Sequence, residues 1–221
     1  MRTLYHLWLS PPCRQVRLIL GEKGLACELK TEDVWRRRPE FIKLNPAGEV
    51  PVLVTDDVVV AGAAVIAEFL DETVPEPALI AGSAAERAEI RRLAHWFDRK
   101  FNAEVTENLV GEKVMKRFLG TGYPDSRAIR AGKENIHYHL DYVGWLTERR
   151  TWLAGDRLSV ADMAAAAHLS ALDYLGDVPW AEHEPAKHWY ARIKSRPSFR
   201  PILADRLPGE PPPKHYDDLD F

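Results

Sequence analysis

The stretch from 45 to 72, NPAGEVPVLVTDDVVVAGAAVIAEFLDE, constrains the fold most. Pro51 stands at the head of a β-branched run, where its missing N–H costs a sheet ladder least. Val52-Leu53-Val54 and Val58-Val59-Val60 flank Asp56-Asp57, so the two runs predict a β-hairpin. Val65, Ile66, Phe69 and Leu70 then recur at helical spacing and predict a helix with that face inward.

Upstream, Thr3 to Leu9 alternates loosely and reads as a first strand. Ser10-Pro11-Pro12-Cys13 is a turn, and Arg14 to Gly24 a helix that Gly24 stops. Cys27 to Val34 reads as a second strand. A β-α-β start with a parallel return predicts a thioredoxin-like unit with a mixed four-stranded sheet. Val74-Pro-Glu-Pro reads as a linker. Beyond Ala84 the pattern is wholly helical: Ile90, Leu93, Phe97, Phe101, Val105 and Leu109 recur at three and four residues. Ser126 to about Arg150 repeats the pattern through Ile136, Leu140, Val143 and Leu146. Ser159 and Asp162 form a capping box in which Asp replaces Glu, so Asp162 is assigned to folding. The expected division is 1–76 for the thioredoxin-like domain, 83–205 for an all-helical domain, and 206–221 for an extended, Pro-rich acidic tail.

Asn45-Pro46-Ala47-Gly48-x-Val50-Pro51 resembles the signature of the glutathione S-transferase superfamily. Gly155 to Asp162 and Arg196-Pro197-Ser198-Phe199 fit the same family. The resemblance implies a cis Val50–Pro51 bond whose valine backbone pairs with the cysteinyl part of glutathione. It also implies that Ser10, after the first strand, stabilises a glutathione thiolate, as in the serine-type classes. One departure matters. The Glu-Ser pair that holds the γ-glutamyl group is replaced by Gly62-Ala63, so hydroxyl and carboxylate are both missing. Charge-assisted bonds are each worth roughly 1.5–3 kcal/mol, so this loss should weaken glutathione by orders of magnitude. Val50, Pro51, Gly62 and Ala63 are therefore read as a vestigial site. The expectation leans away from an enzyme, with glutathione a cofactor only if transferase chemistry survives.

Two readings stand for Ser10 and Cys13: a helix cap with a small packed thiol, or a reactive pair. Two also stand for Trp35-Arg36-Arg37-Arg38: a solvated charge run, or a protein-binding hot spot. The tail ends Tyr216-Asp217-Asp218-Leu219-Asp220-Phe221, and aromatic anchors spaced by acids suggest a short binding segment. A Gly-Glu-Pro-Pro-Pro tail with this ending, on a body without the Glu-Ser pair, resembles the FtsZ-binding, transferase-like division proteins of α-proteobacteria. That implies a homodimer gripping FtsZ filaments, favouring curved or bundled arrangements and promoting constriction. Trp35 and Arg36 to Arg38 would form the filament face. Tyr216, Asp217, Asp218, Asp220 and Phe221 would meet the same partner or other division proteins. The alternatives are a glutathione-dependent transferase or isomerase and a thiol redox protein using Cys13.

Bulk properties exclude other classes. A net charge of −3 gives no basic footprint for nucleic acid. No apolar run reaches membrane-spanning length, and the N-terminus lacks a secretory core and cleavage site. Two cysteines, Cys13 and Cys27, are too few for a disulfide framework, so a reducing cytoplasm is expected; the resemblance to division proteins implies a cytoplasmic protein at the division site. His137 and His139, two apart on a helix, point to different faces and are read as packing or surface residues. No metal-ligand spacing, G-x-G-x-x-G or phosphate-binding loop occurs.

Overall fold

The computed structural model describes residues 1 to 219. Four strands form one mixed sheet in the order β2-β1-β3-β4: β1 (Thr3–His6), β2 (Glu28–Thr31), β3 (Val52–Val54) and β4 (Val59–Ala61). β1 runs parallel to β2 and antiparallel to β3, and β3 pairs antiparallel with β4. α1 (Pro11–Glu22) makes the crossover and α2 (Pro39–Leu44) precedes the Val50–Pro51 turn, whose peptide bond is cis. α3 (Ala63–Thr73) closes this half.

The helical half begins with α4 (Ala84–His95), which continues as a π-wound stretch (Trp96–Met115) into α5 (Lys116–Leu119). Phe97, Phe101, Val105 and Leu109 recur every four residues and are all buried, as the sequence pattern requires. α6 (Ser126–Thr147), α7 (Val160–Tyr174), α8 (Glu184–Lys194) and α9 (Arg200–Leu203) complete the body. α7 is buried along its whole length and forms its centre. The expected capping box is present. The buried Asp162 carboxylate accepts from the N–H groups of Leu153 and Ser159 and from Trp189 Nε1, each at 3.0 Å.

Several expectations need correction. β1 stops at His6 and not Leu9, because the chain turns back there and Ser10 N donates to Leu7 O. β2 covers only Glu28–Thr31, all of it exposed, because Val34–Arg36 winds into a 3₁₀ turn. α1 starts three residues earlier than expected, with prolines in the first turn where their missing N–H groups have no helical acceptor. Val65 is 59% exposed, because α3 turns Ala63, Ile66, Ala67 and Leu70 inward instead. The linker is pinned by the buried Lys23, whose Nζ donates to Asp71 Oδ1 and to the carbonyls of Val74 and Pro77 at 2.7–2.9 Å.

The tail is not a loose extension. Beyond α9 the chain lies along the body and ends in a 3₁₀ turn over Lys214–Asp217. Tyr174 Oη accepts from Leu207 N and donates to Glu210 O, both at 2.7 Å. Arg117 pairs with Glu210 at 2.8 Å. Tyr216, expected as an exposed anchor, is wholly buried.

Candidate functional site

The register Tyr5↔Val52 brings the Val50–Pro51 turn to the same end of the sheet as Ser10. At that end a cleft of ≈ 500 Å³ opens between the two halves. Leu7 to Ser10 line one side, and Trp35 and Arg36 stand beside them. The opposite wall comes from Met115 and Phe118 of the long helix and from Leu207-Pro208 of the tail strap. The Trp35 and Phe118 rings stack at 5.7 Å and 14°, bridging the halves. The Arg117 guanidinium lies 5.3 Å from the Phe118 ring centre.

The structure thus brings Ser10, Trp35 and Arg36 together. Val50, Pro51, Gly62 and Ala63 are not in the lining, although Gly62 N donates to Pro51 O at 3.0 Å. Gly62 has φ of 89°, a conformation other residues adopt only with strain. It starts α3 with no side-chain cap. Gly62 and Ala63 carry no polar side chain, so what these two residues offer an anion is backbone N–H. The donor set for a γ-glutamyl group is incomplete, so these residues do not fit glutathione as the family's sites do.

Cys13 is buried, its sulfur 3.5 Å from Leu7 N. Burial pushes its thiol up to about 11, so it stays protonated at neutral pH. Cys27, half-buried, is also pushed up by desolvation, to about 11.

The three arginines after Trp35 have different fates. Arg36 Nε lies 3.0 Å from Asp33. Arg38 grips the buried Glu32 carboxylate with two nitrogens at 3.1 and 2.5 Å. Arg37, at a left-handed φ of 45°, is the exposed cation left over. One member of the run therefore holds the edge of the sheet in place, Arg36 stands at the cleft, and Arg37 is exposed beside it in sequence but outside the cleft lining.

Sequence reasoning missed the buried network beneath the cleft. Arg14 is wholly buried and donates to Trp8 O, Ser170 Oγ, Tyr216 Oη and Asp205. Arg17 grips the same Asp205 carboxylate at 2.7 and 2.9 Å. These bonds tie α1 to the tail strap across roughly 190 residues of sequence, and no local pattern signals them. The only available hint was two arginines on the apolar face of a helix. Asp217 pairs with Arg206 at 2.6 Å, and Asp218 lies exposed. Asp220 and Phe221 lie outside the described residues.

Residues 4–78 match the glutathione S-transferase N-terminal domain and residues 130–197 its C-terminal domain. The chain belongs to the glutathione S-transferase family. Its relatives within that family are more specific. It is 53% identical over 224 residues to FtsZ-localized protein A of Caulobacter vibrioides, covering 100% of this chain and 98% of that protein. The solved structure of FzlA from C. crescentus superposes with a TM-score of 0.95 at 52% identity, covering 100% and 99% of the two chains. A structure described as a glutathione S-transferase from Rhodospirillum rubrum superposes at 0.97 with 56% identity over the full length of both. The expected fold, a mixed four-stranded sheet domain followed by a helical domain, is the observed one. Among the described residues no helix is long and apolar enough to cross a membrane.

Proposed function

We propose that this chain is a non-enzymatic homodimer that binds FtsZ filaments, holds them curved or bundled, and promotes constriction at the division site in the cytoplasm. The observation that carries this reading is the 53% identity, over the whole length, to an FtsZ-localized protein. Gly62-Ala63, without hydroxyl or carboxylate, supports a body released from glutathione chemistry. Trp35, Arg36 and Arg37 form the filament face. An aromatic and a cation at the cleft, with a second exposed cation next in sequence, have hot-spot composition and suit an acidic partner. Arg38 belongs to the same segment and positions it through Glu32.

A second copy would use the helical half. Tyr138 and Trp145 on α6 are 58% and 49% exposed, with Tyr142 stacked against Trp145 at 6.2 Å. Two equivalent faces related by a two-fold axis would grip two filaments at a fixed angle, and bivalency would raise avidity along a polymer without new contacts. Asp217 and Asp218, with Asp220 and Phe221 beyond them, are assigned to other division proteins, and the buried Tyr216 anchors that segment to the body.

The test is co-sedimentation with GTP-assembled FtsZ. Saturable pelleting is expected, and Trp35→Ala is expected to abolish it with the circular dichroism spectrum unchanged. No pelleting of the parent protein overturns the reading, and pelleting of Trp35→Ala at parental affinity overturns the assigned face. Ser10 in the cleft favours one alternative, a glutathione-dependent transferase or isomerase of a serine-type class. Submillimolar glutathione binding by calorimetry would restore it.

A further inference from the structure

Two side chains that packing leaves without partners line one cavity. Gln15, on α1, is 0% exposed, and neither Nε2 nor Oε1 of its amide has a hydrogen-bond partner among the described residues. Asp98, in the first turn of the π-wound stretch, has its Oδ1 buried and unpartnered as well. His168 Nε2 stands 3.7 Å from that oxygen, beyond hydrogen-bond reach. Buried amides and carboxylates are nearly always paired, so groups left open in this way call for a reason.

The cavity measures ≈ 280 Å³ and lies where α1, α3, α4 and the start of α7 meet. Its walls are otherwise mainly short or branched apolar side chains: Ala67, Ile80, Ile90, Ala94 and Val160. At its rim Arg91 holds the Glu68 carboxylate with two nitrogens at 2.7 and 2.9 Å, so that pair is already satisfied. The cavity shares no lining residue with the cleft at Ser10, and Val50, Pro51, Gly62 and Ala63 do not line it. We propose that it binds a small primary carboxamide carried on a single apolar ring, of which benzamide is the simplest.

Size and polarity select this class. Pockets for drug-sized ligands run about 300–1,000 Å³, so a cavity at the lower edge takes a compact one. The donor and acceptor count selects the head group. Gln15 offers one acceptor and one donor nitrogen, and the Asp98 carboxylate offers an acceptor only. A primary carboxamide answers all three. Its carbonyl accepts from Gln15 Nε2. The N–H on the carbonyl side donates to Gln15 Oε1, closing a ring of two hydrogen bonds. The remaining N–H donates to Asp98 Oδ1. A carboxylate has no donor for Asp98, an ammonium leaves Gln15 Nε2 unmet, and a purely apolar ligand leaves all three atoms open. A flat ring on the carboxamide then lies against the apolar walls, where Ala67 and Ala94 leave it room, and its removal from water supplies the rest of the affinity.

The test uses the untagged full-length protein with benzamide as the probe, followed by calorimetry and by the melting temperature. One equivalent is expected to bind at or below about 1 mM, which a ligand of this size can reach, and to raise the melting temperature. Gln15→Leu keeps the volume and removes both amide atoms. It is expected to weaken benzamide at least about 10-fold while melting no lower than the parent, since an apolar replacement of the same shape leaves no amide unpaired. Benzoate, with no N–H, is expected to bind at least about 10-fold more weakly than benzamide, because a site built to hydrogen-bond a group rejects the analogue lacking it. N-methylbenzamide, whose methyl group replaces the hydrogen on the carbonyl side, is expected to lose as much. No saturable one-to-one binding of benzamide, equal binding of benzoate, or parental affinity in Gln15→Leu overturns the proposal.

Discussion

Tyr216→Ala separates two views of the tail: a trailing ligand for another protein, or part of the folded body. The ring is 0% exposed and packs edge-on against Tyr174 at 5.1 Å. Its hydroxyl accepts from Arg14 Nη1 and donates to Ile202 O, both at 3.2 Å. Truncating a buried aromatic side chain to alanine costs about 3–5 kcal/mol through lost burial and the cavity left behind. Depriving a buried guanidinium of one acceptor adds about 1–2 kcal/mol. The sum is roughly 4–7 kcal/mol. For a chain of this size each kcal/mol moves the melting temperature by about 2–4 °C, so a fall of roughly 10–25 °C is expected by circular dichroism. Tyr216→Phe keeps the packing and loses only the hydroxyl, so a fall of about 2–8 °C is expected from the same hydrogen-bond cost. A Tyr216→Ala protein that melts within about 3 °C of the parent would refute the strapped tail and the network built on Arg14.

The remaining predictions concern buried polar groups. His6 is wholly buried with both ring nitrogens lacking a hydrogen-bond partner, and desolvation, helped by Arg17, lowers its pKa from 6.5 to about 4. The unfolded chain therefore takes up this proton first. Its contribution is full above pH 6.5 and is lost as pH falls towards 4, by on the order of 3 kcal/mol in total. His6→Phe should flatten that part of the stability–pH curve in urea denaturation, and an unchanged slope would count against the assignment. Cys13 should resist thiol reagents at neutral pH until the protein unfolds; rapid labelling of the native protein at Cys13 would revive the redox reading. Asp162→Ala strands three buried donors, from Leu153, Ser159 and Trp189, and should cost about 3–5 kcal/mol, measured as a shift in the urea midpoint.

Local chemistry was legible in the sequence wherever one residue's backbone needs or short-range periodicity fix the answer. The Val50–Pro51 turn, the hairpin after it, Gly24 beyond α1, the four-residue apolar spacing through Leu109 and the Ser159–Asp162 box all follow from such rules, and all are present. The absence of a hydroxyl and a carboxylate at Gly62-Ala63 is likewise visible in the residues alone. What depended on distant segments was not. Val65 fits a helical face in the sequence, but the start of α3 at Ala63 decides which face meets the sheet. Tyr216 among aspartates reads as a surface anchor, and only the arrival of Arg14 from α1 gives its hydroxyl a buried partner. The three arginines after Trp35 look equivalent until Glu32 and Asp33 choose between them. His137 meets His183 because α6 and the turn before α8 cross there. Backbone conformation and amphipathic period are set within a few residues, whereas burial and ion pairing are set by whatever tertiary packing brings alongside.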